Sequence, residues 1–271
     1  MRRFLTYAKP LGFSPERCFK VNKMKTLPLA SLCAVTLALA LLIPVIPAQG
    51  SVVITGTRVI YLSDSREKNV QLTNQDLFPN VIQAWIDIDD HDSTPDTAES
   101  PFLVSPAVAR MAPGSGQTLR IFHTGARLPE DRESLFHLNV LQIPPRDIAK
   151  ADRNQILLML RNRLKLFYRP AGLAIGSDKL PEQLRFSLVQ KSGAWHVRVE
   201  NPSGYYASFA GAMLSVGKHQ WKLLPSMVPP KKQSEWAMER ASSLPSGPVQ
   251  LDALLINDYG ARLRIHLVLS R

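Results

Sequence analysis

The chain has 271 residues, with 33 Lys and Arg against 22 Asp and Glu, and 45% of its residues are hydrophobic. The apolar fraction is too high and the charged fraction of 20% too modest for a disordered chain, and two cysteines exclude a disulfide-stapled miniprotein. At roughly 100–150 residues per domain, this length suggests one large or two ordinary domains. The 21 prolines are spread along the chain, so we expect β structure rather than a mostly helical protein.

The first fifty residues have the pattern of an export signal. Lysines precede an apolar run over residues 27–46, which ends in prolines and small residues. We therefore predict a signal peptide over residues 1–50 that is cleaved after Gly50, with Met1 or Met24 as the start. An uncleaved anchor is the alternative, because the run is nearly as long as the ~20 residues that span a bilayer.

Cleavage at that point changes the charge and the chemistry of the chain. Residues 1–50 hold 7 of the 33 basic and 1 of the 22 acidic residues, so the mature chain keeps 26 and 21 and has a net charge of +5 rather than +11. Cys18 and Cys33 leave with the signal. The mature protein therefore has no disulfide, thiol nucleophile or thiolate metal site, although an exported protein is allowed disulfides.

Short apolar or alternating runs follow, separated by Pro, Gly, Asp and Ser clusters about every ten residues. In the first half they predict strands over residues 51–61, 69–73, 81–88, 117–123, 134–143 and 155–168. In the second half they predict strands over residues 184–190, 195–200, 205–216, 249–256 and 263–269. A linker over residues 170–180 divides the mature chain into domains of residues 51–172 and 173–271, each the size of one seven-stranded sandwich.

The last strand of the first domain is unusually long. Residues 155–168 would extend about 45 Å at ~3.3 Å per residue, against a usual strand of 5–6 residues. Residues 156–160 are apolar at both parities, so neither face is suited to water. The pattern alone leaves two interpretations open: a doubly buried central strand or helix segment, and an exposed apolar edge that is offered to another chain.

Short motifs in both domains match one family in the same order. They are GTRVIY at 56–61, QAWID at 83–87, PFLVSP at 101–106, LPEDRESLF at 128–136, IPPR at 143–146, KLFYRP at 165–170 and INDYG at 256–260. Together they resemble the PapD-like periplasmic assembly chaperones of the chaperone–usher pilus pathway. The resemblance covers the chain from about residue 52 to its C-terminus, and it implies two immunoglobulin-like β-sandwich domains with a cleft between them.

The resemblance also implies roles for particular residues. Arg58 and Lys165 fall on the pair that binds the C-terminal carboxylate of a pilus subunit, and an inter-domain ion network maps to Glu133, Arg169 and Asp258. The strand that the chaperone lends to the open groove of the subunit falls on Ile156, Leu158 and Leu160. Lys165 differs from these three in parity, so a regular strand would place it on the opposite face.

The function implied is that of a non-enzymatic periplasmic chaperone with no cofactor and no metal. Its expected partners are pilus subunits and an outer-membrane usher, with no nucleic acid and no membrane insertion after cleavage of the signal. The free edge strand also suggests self-association.

The short loop at residues 146–154 resembles the loop in the branch of the family that serves rod-like pili. A secreted carbohydrate-binding or adhesive sandwich, which needs an exposed aromatic platform, is the alternative, and a glycoside hydrolase using the carboxylates of residues 87–92 is a remote third.

Overall fold

The computed structural model describes residues 51–146, 156–173, 175–191, 193–238 and 244–270. These residues all belong to one compact unit. The predicted signal peptide and most of the loop at residues 146–154 lie outside the described residues. Within the described ranges, no helix is long and apolar enough to cross a membrane.

The first domain is a sandwich of two β-sheets. Its strands are β1 (Val52–Ile54), β2 (Arg58–Leu62), β3 (Lys68–Asn74), β4 (Asn80–Asp87), β5 (Phe102–Ser105), β6 (Val108–Met111), β7 (Gly116–His123), β8 (Ser134–Ile143) and β9 (Leu160–Arg169). One sheet has the strand order β1-β3-β7-β5 and the other β2-β9-β8-β4-β6. The pairing of β2 with β9 is parallel. Alternate residues of each strand point inward, so that Leu72 and Leu119 of one sheet and Leu138 and Leu166 of the other are fully buried in a common core.

The second domain has the same two-layer plan. A 3₁₀ turn (Ser177–Lys179) and one short helix, α1 (Leu180–Gln183), lead into its first strand. The strands are β10 (Arg185–Lys191), β11 (Ala194–Asn201), β12 (Phe209–Val216), β13 (His219–Leu223), β14 (Lys232–Ala237), β15 (Val249–Ile256) and β16 (Arg262–Leu269). They form sheets of order β10-β11-β14 and β13-β12-β15-β16. Trp236, Leu214 and Leu251 lie between the sheets with no exposed surface, so this domain has its own core.

The prediction of an all-β protein with two sandwich domains and a cleft between them is confirmed, but several predicted strands are wrong in detail. The run at residues 51–61 is two strands in different sheets, because Gly56, with a φ of +89°, lets the chain turn out of β1 and enter β2 on the other layer. The first domain has nine strands in its described residues rather than seven. Four short strands, β5, β6, β13 and β14, were not predicted. The strand predicted from residue 205 begins only at Phe209.

Candidate functional site

One half of β9 has a free backbone edge. On one side β9 pairs with β8 from Leu160 to Tyr168. On the other side it pairs with β2 only from Lys165 to Arg169. Among the described residues, therefore, residues 160–164 have no strand partner on the side of β2, and their backbone groups on that side are open to another chain.

The apolar segment that leads into this free edge is exposed. Ile156 is 99% exposed, Leu158 69% and Leu160 45%, and the intervening Leu157 and Met159 are exposed as well. The predicted strand over residues 155–168 is wrong in its extent, because β9 begins at Leu160 and residues 156–159 belong to no strand. The alternative of a doubly buried strand or helix segment is also wrong for these residues. Five consecutive apolar side chains instead form an exposed stripe of the kind that marks an interaction site.

The two faces of β9 account for the difference in parity between Lys165 and the apolar residues. The register with β8 is continuous, with no bulge from Leu160 to Tyr168. Leu164 and Leu166 point into the core of the first domain. Lys165 lies on the other face of the sheet, beside Arg58, with which it is in register across the parallel pair. Lys165 therefore lies on the opposite face of β9 from Leu160, the residue of the apolar stripe that belongs to this strand.

Arg58 and Lys165 form a partly buried pair of like charges. Arg58 donates a hydrogen bond from Nη1 to the carbonyl oxygen of Ile256 at 3.2 Å, and its guanidinium carbon lies 5.9 Å from the centre of the Phe167 ring. The ammonium group of Lys165 makes no hydrogen bond and no ion pair with any described residue. Burial, and then the charge of Arg58, lower the pKa of Lys165. An anion bound between the two groups would remove this repulsion.

The three residues of the predicted ion network are brought together by the structure. Arg169 makes a two-pronged contact with Asp258, from Nη1 to Oδ2 at 2.7 Å and from Nη2 to Oδ1 at 2.8 Å. Its Nε donates to Oε1 of Glu133 at 2.8 Å. Although burial opposes it, hydrogen bonds and charge from both carboxylates raise the pKa of Arg169. Burial raises the pKa of the Glu133 carboxyl, while Arg169 and the backbone N–H of Tyr206 oppose that rise.

This network sits where the first domain meets the second. Glu133 belongs to the first domain, and its Oε2 accepts a hydrogen bond from the backbone N–H of Tyr206 at 2.8 Å. Gly260 of the second domain has a φ of +82°, and a Cβ there would come within 2.6 Å of the Thr57 hydroxyl oxygen. The domains therefore approach closely beside Arg58, and the resulting cleft encloses a pocket of about 260 Å³ lined by Arg58, Glu133, Arg169 and Asp258.

A second polar cluster was not found by reading the sequence. It lies under the free half of β9 and is centred on the buried carboxylate of Asp87, which accepts hydrogen bonds from Arg163, Asn139 and Ser93. Arg161 donates hydrogen bonds to Asn139 and Ser93, two of the residues that bind this carboxylate. Two arginines at alternate positions directly after the apolar stripe, Arg161 and Arg163, were the signal that could have revealed it.

The side chains that a carbohydrate-binding protein or a glycoside hydrolase would use are buried, half-buried or bound to other residues of the chain. Trp85 and Trp236 are buried, and Trp195 and Trp221 are half-buried, so no tryptophan offers an exposed platform for a sugar ring. The Asp87 carboxylate, the first of the acidic run at residues 87–92, is tied to Arg163 rather than open to a substrate. In the described part of the chain, no group of His, Cys, Asp or Glu has the arrangement of a metal site.

Comparison with known proteins identifies the family. A model of the pili and flagellar-assembly chaperone PapD N-terminal domain matches residues 51–174, and one of the pili assembly chaperone PapD C-terminal domain matches residues 179–266. The chain belongs to this chaperone family. The resemblance inferred from the motifs is confirmed.

Individual members of the family are similar over most of the chain. The probable fimbrial chaperone YadV of Escherichia coli K12 is 35% identical over 215 residues, which cover 78% of this chain and 87% of YadV. The chaperone FimB/FhaD of Bordetella pertussis is 36% identical over 217 residues, which cover 79% of this chain and 86% of that protein. The crystal structure of the YadV chaperone matches with a TM-score of 0.69 and 32% identity, over 81% of this chain and 100% of that one. A chain in the structure of the Salmonella enterica SafA pilin in complex with the SafB chaperone matches with a TM-score of 0.66 and 25% identity, over 83% of this chain and 99% of that one.

Proposed function

We propose that this protein is a non-enzymatic periplasmic chaperone that captures pilus subunits by lending them the free edge of β9 and then delivers them to an outer-membrane usher. The observation that carries the proposal is the free edge itself, with its exposed apolar stripe at one end and the basic pair at the other. A solved complex of a related chaperone with a pilin supports the choice of partner. We assign residues 51–172 and 173–271 to the two chaperone domains.

The stripe supplies most of the binding free energy. Three aliphatic side chains, Ile156, Leu158 and Leu160, contribute roughly 5–9 kcal/mol gross if each is buried at ~1.5–3 kcal/mol. Residues 160–164 add backbone hydrogen bonds along the open edge, as in other cases of strand addition. The same open edge would allow two free chaperone molecules to associate when no subunit is present.

The basic pair fixes the register of the subunit. A C-terminal carboxylate placed between Arg58 and Lys165 gains charge-assisted hydrogen bonds of about 3–6 kcal/mol before desolvation. Only one residue of a chain carries that carboxylate, so only one alignment of the subunit on β9 satisfies the pair. The ion network of Glu133, Arg169 and Asp258 holds the second domain against the first and keeps the cleft beside Arg58 in shape.

Co-expression tests this function directly. When the affinity-tagged chaperone is produced with the pilus subunits of its own genome and recovered from the periplasm, we expect a subunit to co-purify in a stable one-to-one complex, because it gains the strand that it lacks. Native mass spectrometry identifies the subunit and the stoichiometry. Recovery of the chaperone without any subunit, or binding of soluble sugars instead, would contradict the proposal.

Export determines the N-terminus and the redox behaviour of the mature protein. We expect the periplasmic form to begin at or near Ser51, because the signal-like segment ends at Gly50. Since both cysteines lie in that segment, the melting temperature should be the same with and without reductant. Intact-mass analysis checks the first expectation and calorimetry the second. An intact segment over residues 27–46, or a melting temperature that depends on reductant, would contradict cleavage.

A further inference from the structure

We propose that Asp87 is a positioning residue for strand donation, since its buried carboxylate clamps the free half of β9 in an extended conformation before any subunit binds. The inference rests on the proposed function and adds to it a device within the chaperone. It concerns the face of β9 opposite the core of the first domain, on which Arg161 and Arg163 lie, whereas the exposed Leu160 and Asn162 lie on the other face.

The Asp87 carboxylate is the centre of this clamp. It lies at the end of β4, is 1% exposed, and accepts hydrogen bonds from Nη2 of Arg163 at 2.7 Å, Nδ2 of Asn139 at 2.5 Å and Oγ of Ser93 at 3.0 Å. Although burial opposes ionisation, these bonds lower the pKa of Asp87. A buried carboxylate with this many donors is held in one orientation, and it therefore holds its donors in turn.

Arg161 is held by the same group of residues. Its Nε donates to Oδ1 of Asn139 at 2.9 Å, its Nη1 donates to the carbonyl oxygen of His91 at 2.9 Å, and its guanidinium carbon lies 4.8 Å from the centre of the Trp85 ring. The side chains of Arg161 and Arg163 are only 27% and 15% exposed. Both guanidinium groups therefore bond to residues of the chaperone itself and are largely withdrawn from a subunit; of their nitrogens, the buried Nε of Arg163 has no hydrogen-bond partner among the described residues.

The clamp joins three strands at the place where β9 is supported on one side only. Arg163 reaches from β9 across β8 to Asp87 on β4, and Arg161 reaches Asn139 on β8. A strand edge without a partner frays, and ordering its backbone at the moment of binding costs conformational entropy. Because the arginines already hold residues 160–164 extended, part of that cost is met during folding, and association with a subunit becomes faster and tighter.

Hydrogen exchange of the free chaperone tests the clamp without a subunit. Asp87→Asn keeps the size of the side chain but removes its charge, and Arg163→Met keeps the apolar stem but removes the guanidinium. In both variants we expect those backbone amides of residues 160–164 that hydrogen bond to β8 to exchange about tenfold faster, which corresponds to the loss of roughly one charge-assisted hydrogen bond. Amides in the core of the second domain should be unchanged.

Glu67→Gln is the matched control, because it breaks an arginine–carboxylate pair of the same domain, Glu67 with Arg120, and Arg120 lies on β7 in the sheet that does not contain β9. It should leave the exchange of residues 160–164 and the rate of subunit binding unchanged. With the subunit that co-purifies with the wild type as the probe, Asp87→Asn and Arg163→Met should associate about fivefold to tenfold more slowly, as expected for a less ordered strand.

The outcomes separate the clamp from the proposed function. Wild-type exchange at residues 160–164 in both folded variants would overturn the clamp, as would an equal loss of binding in Glu67→Gln. If Asp87→Asn does not fold, hydrogen exchange in Arg163→Met alone decides whether the clamp exists. A wild-type chaperone that binds no subunit would overturn the proposed function, whatever the exchange data show.

Discussion

Leu158→Glu should abolish subunit capture and leave the melting temperature of the free chaperone unchanged. The side chain is 69% exposed in the free protein, so a carboxylate there meets water and disturbs no packing. In the complex the same carboxylate would be buried in an apolar groove. The variant loses the ~1.5–3 kcal/mol of the buried leucine and adds the cost of desolvating a charge, so the affinity should fall by at least about a thousandfold.

Leu103→Glu is the control for this result. Leu103 is 62% exposed on β5, an edge strand of the other sheet of the first domain, so it tests an added surface charge of similar exposure away from the proposed subunit contact on β9. It should capture subunits as the wild type does. Titration calorimetry and thermal melts of both variants give the measurements. A melting temperature that falls only in Leu158→Glu, as for a charge in a core, would show that residues 156–160 are packed within the chaperone.

Alternation predicted strands well where one face of the strand is buried over its whole length. The predicted ranges 134–143 and 249–256 coincide with β8 and β15. Buried apolar residues recur at every second position along β15 and from Phe136 to Val140 of β8. The strand β5 has only four residues, and β13 has one buried residue in five, so neither contains enough alternation to be recognised. Alternation therefore identifies a strand only when the strand is long enough and one of its faces is buried.

The candidate site depended on information of other kinds. Alternation could not distinguish a doubly buried strand from an exposed stripe over residues 156–160, because both are apolar at every position. The motifs located Arg58, Lys165 and the ion network through resemblance to a family. The Asp87 clamp has no such motif, since it needs the register of β4, β8 and β9 to bring residues from 87 to 163 together.

The contacts of Arg58 within the chaperone limit what its replacement can show about subunit binding. Because its Nη1 hydrogen bonds to the carbonyl oxygen of Ile256 in the second domain, Arg58→Ala removes a contact between the domains as well as the proposed subunit anchor. Lys165 has no such partner among the described residues. Lys165→Ala therefore isolates the anchoring role, and Arg58→Ala serves as the second variant, with domain contact monitored by its melting temperature.

Lys165→Ala should weaken subunit binding without loss of stability. Removing the ammonium relieves its repulsion with Arg58, so the folded chaperone should be as stable as the wild type or slightly more stable, whereas the bound carboxylate loses one of its two cationic partners. We expect the affinity to fall about tenfold to a hundredfold, which corresponds to ~1.5–3 kcal/mol for one charge-assisted hydrogen bond.

Lys165→Arg should restore little of the lost affinity, because a longer planar group does not place its charge at the same point. Lys191→Ala, which removes an exposed lysine of the second domain, is the control and should bind as the wild type does.

A pair of peptides with the C-terminal sequence of the co-purified subunit decides whether the carboxylate itself is what Lys165 recognises. The free acid should bind the wild type about tenfold or more tightly than the C-terminal amide, since the amide carries no charge between the two cations. In Lys165→Ala and Arg58→Ala that preference should shrink, because one of the two cations is missing in each. A double-mutant cycle over peptide terminus and Lys165 then gives the coupling free energy directly, free of any general effect of the substitution on the cleft. Equal binding of acid and amide by the wild type would mean that the lent strand alone holds the subunit and that its register is set elsewhere along β9.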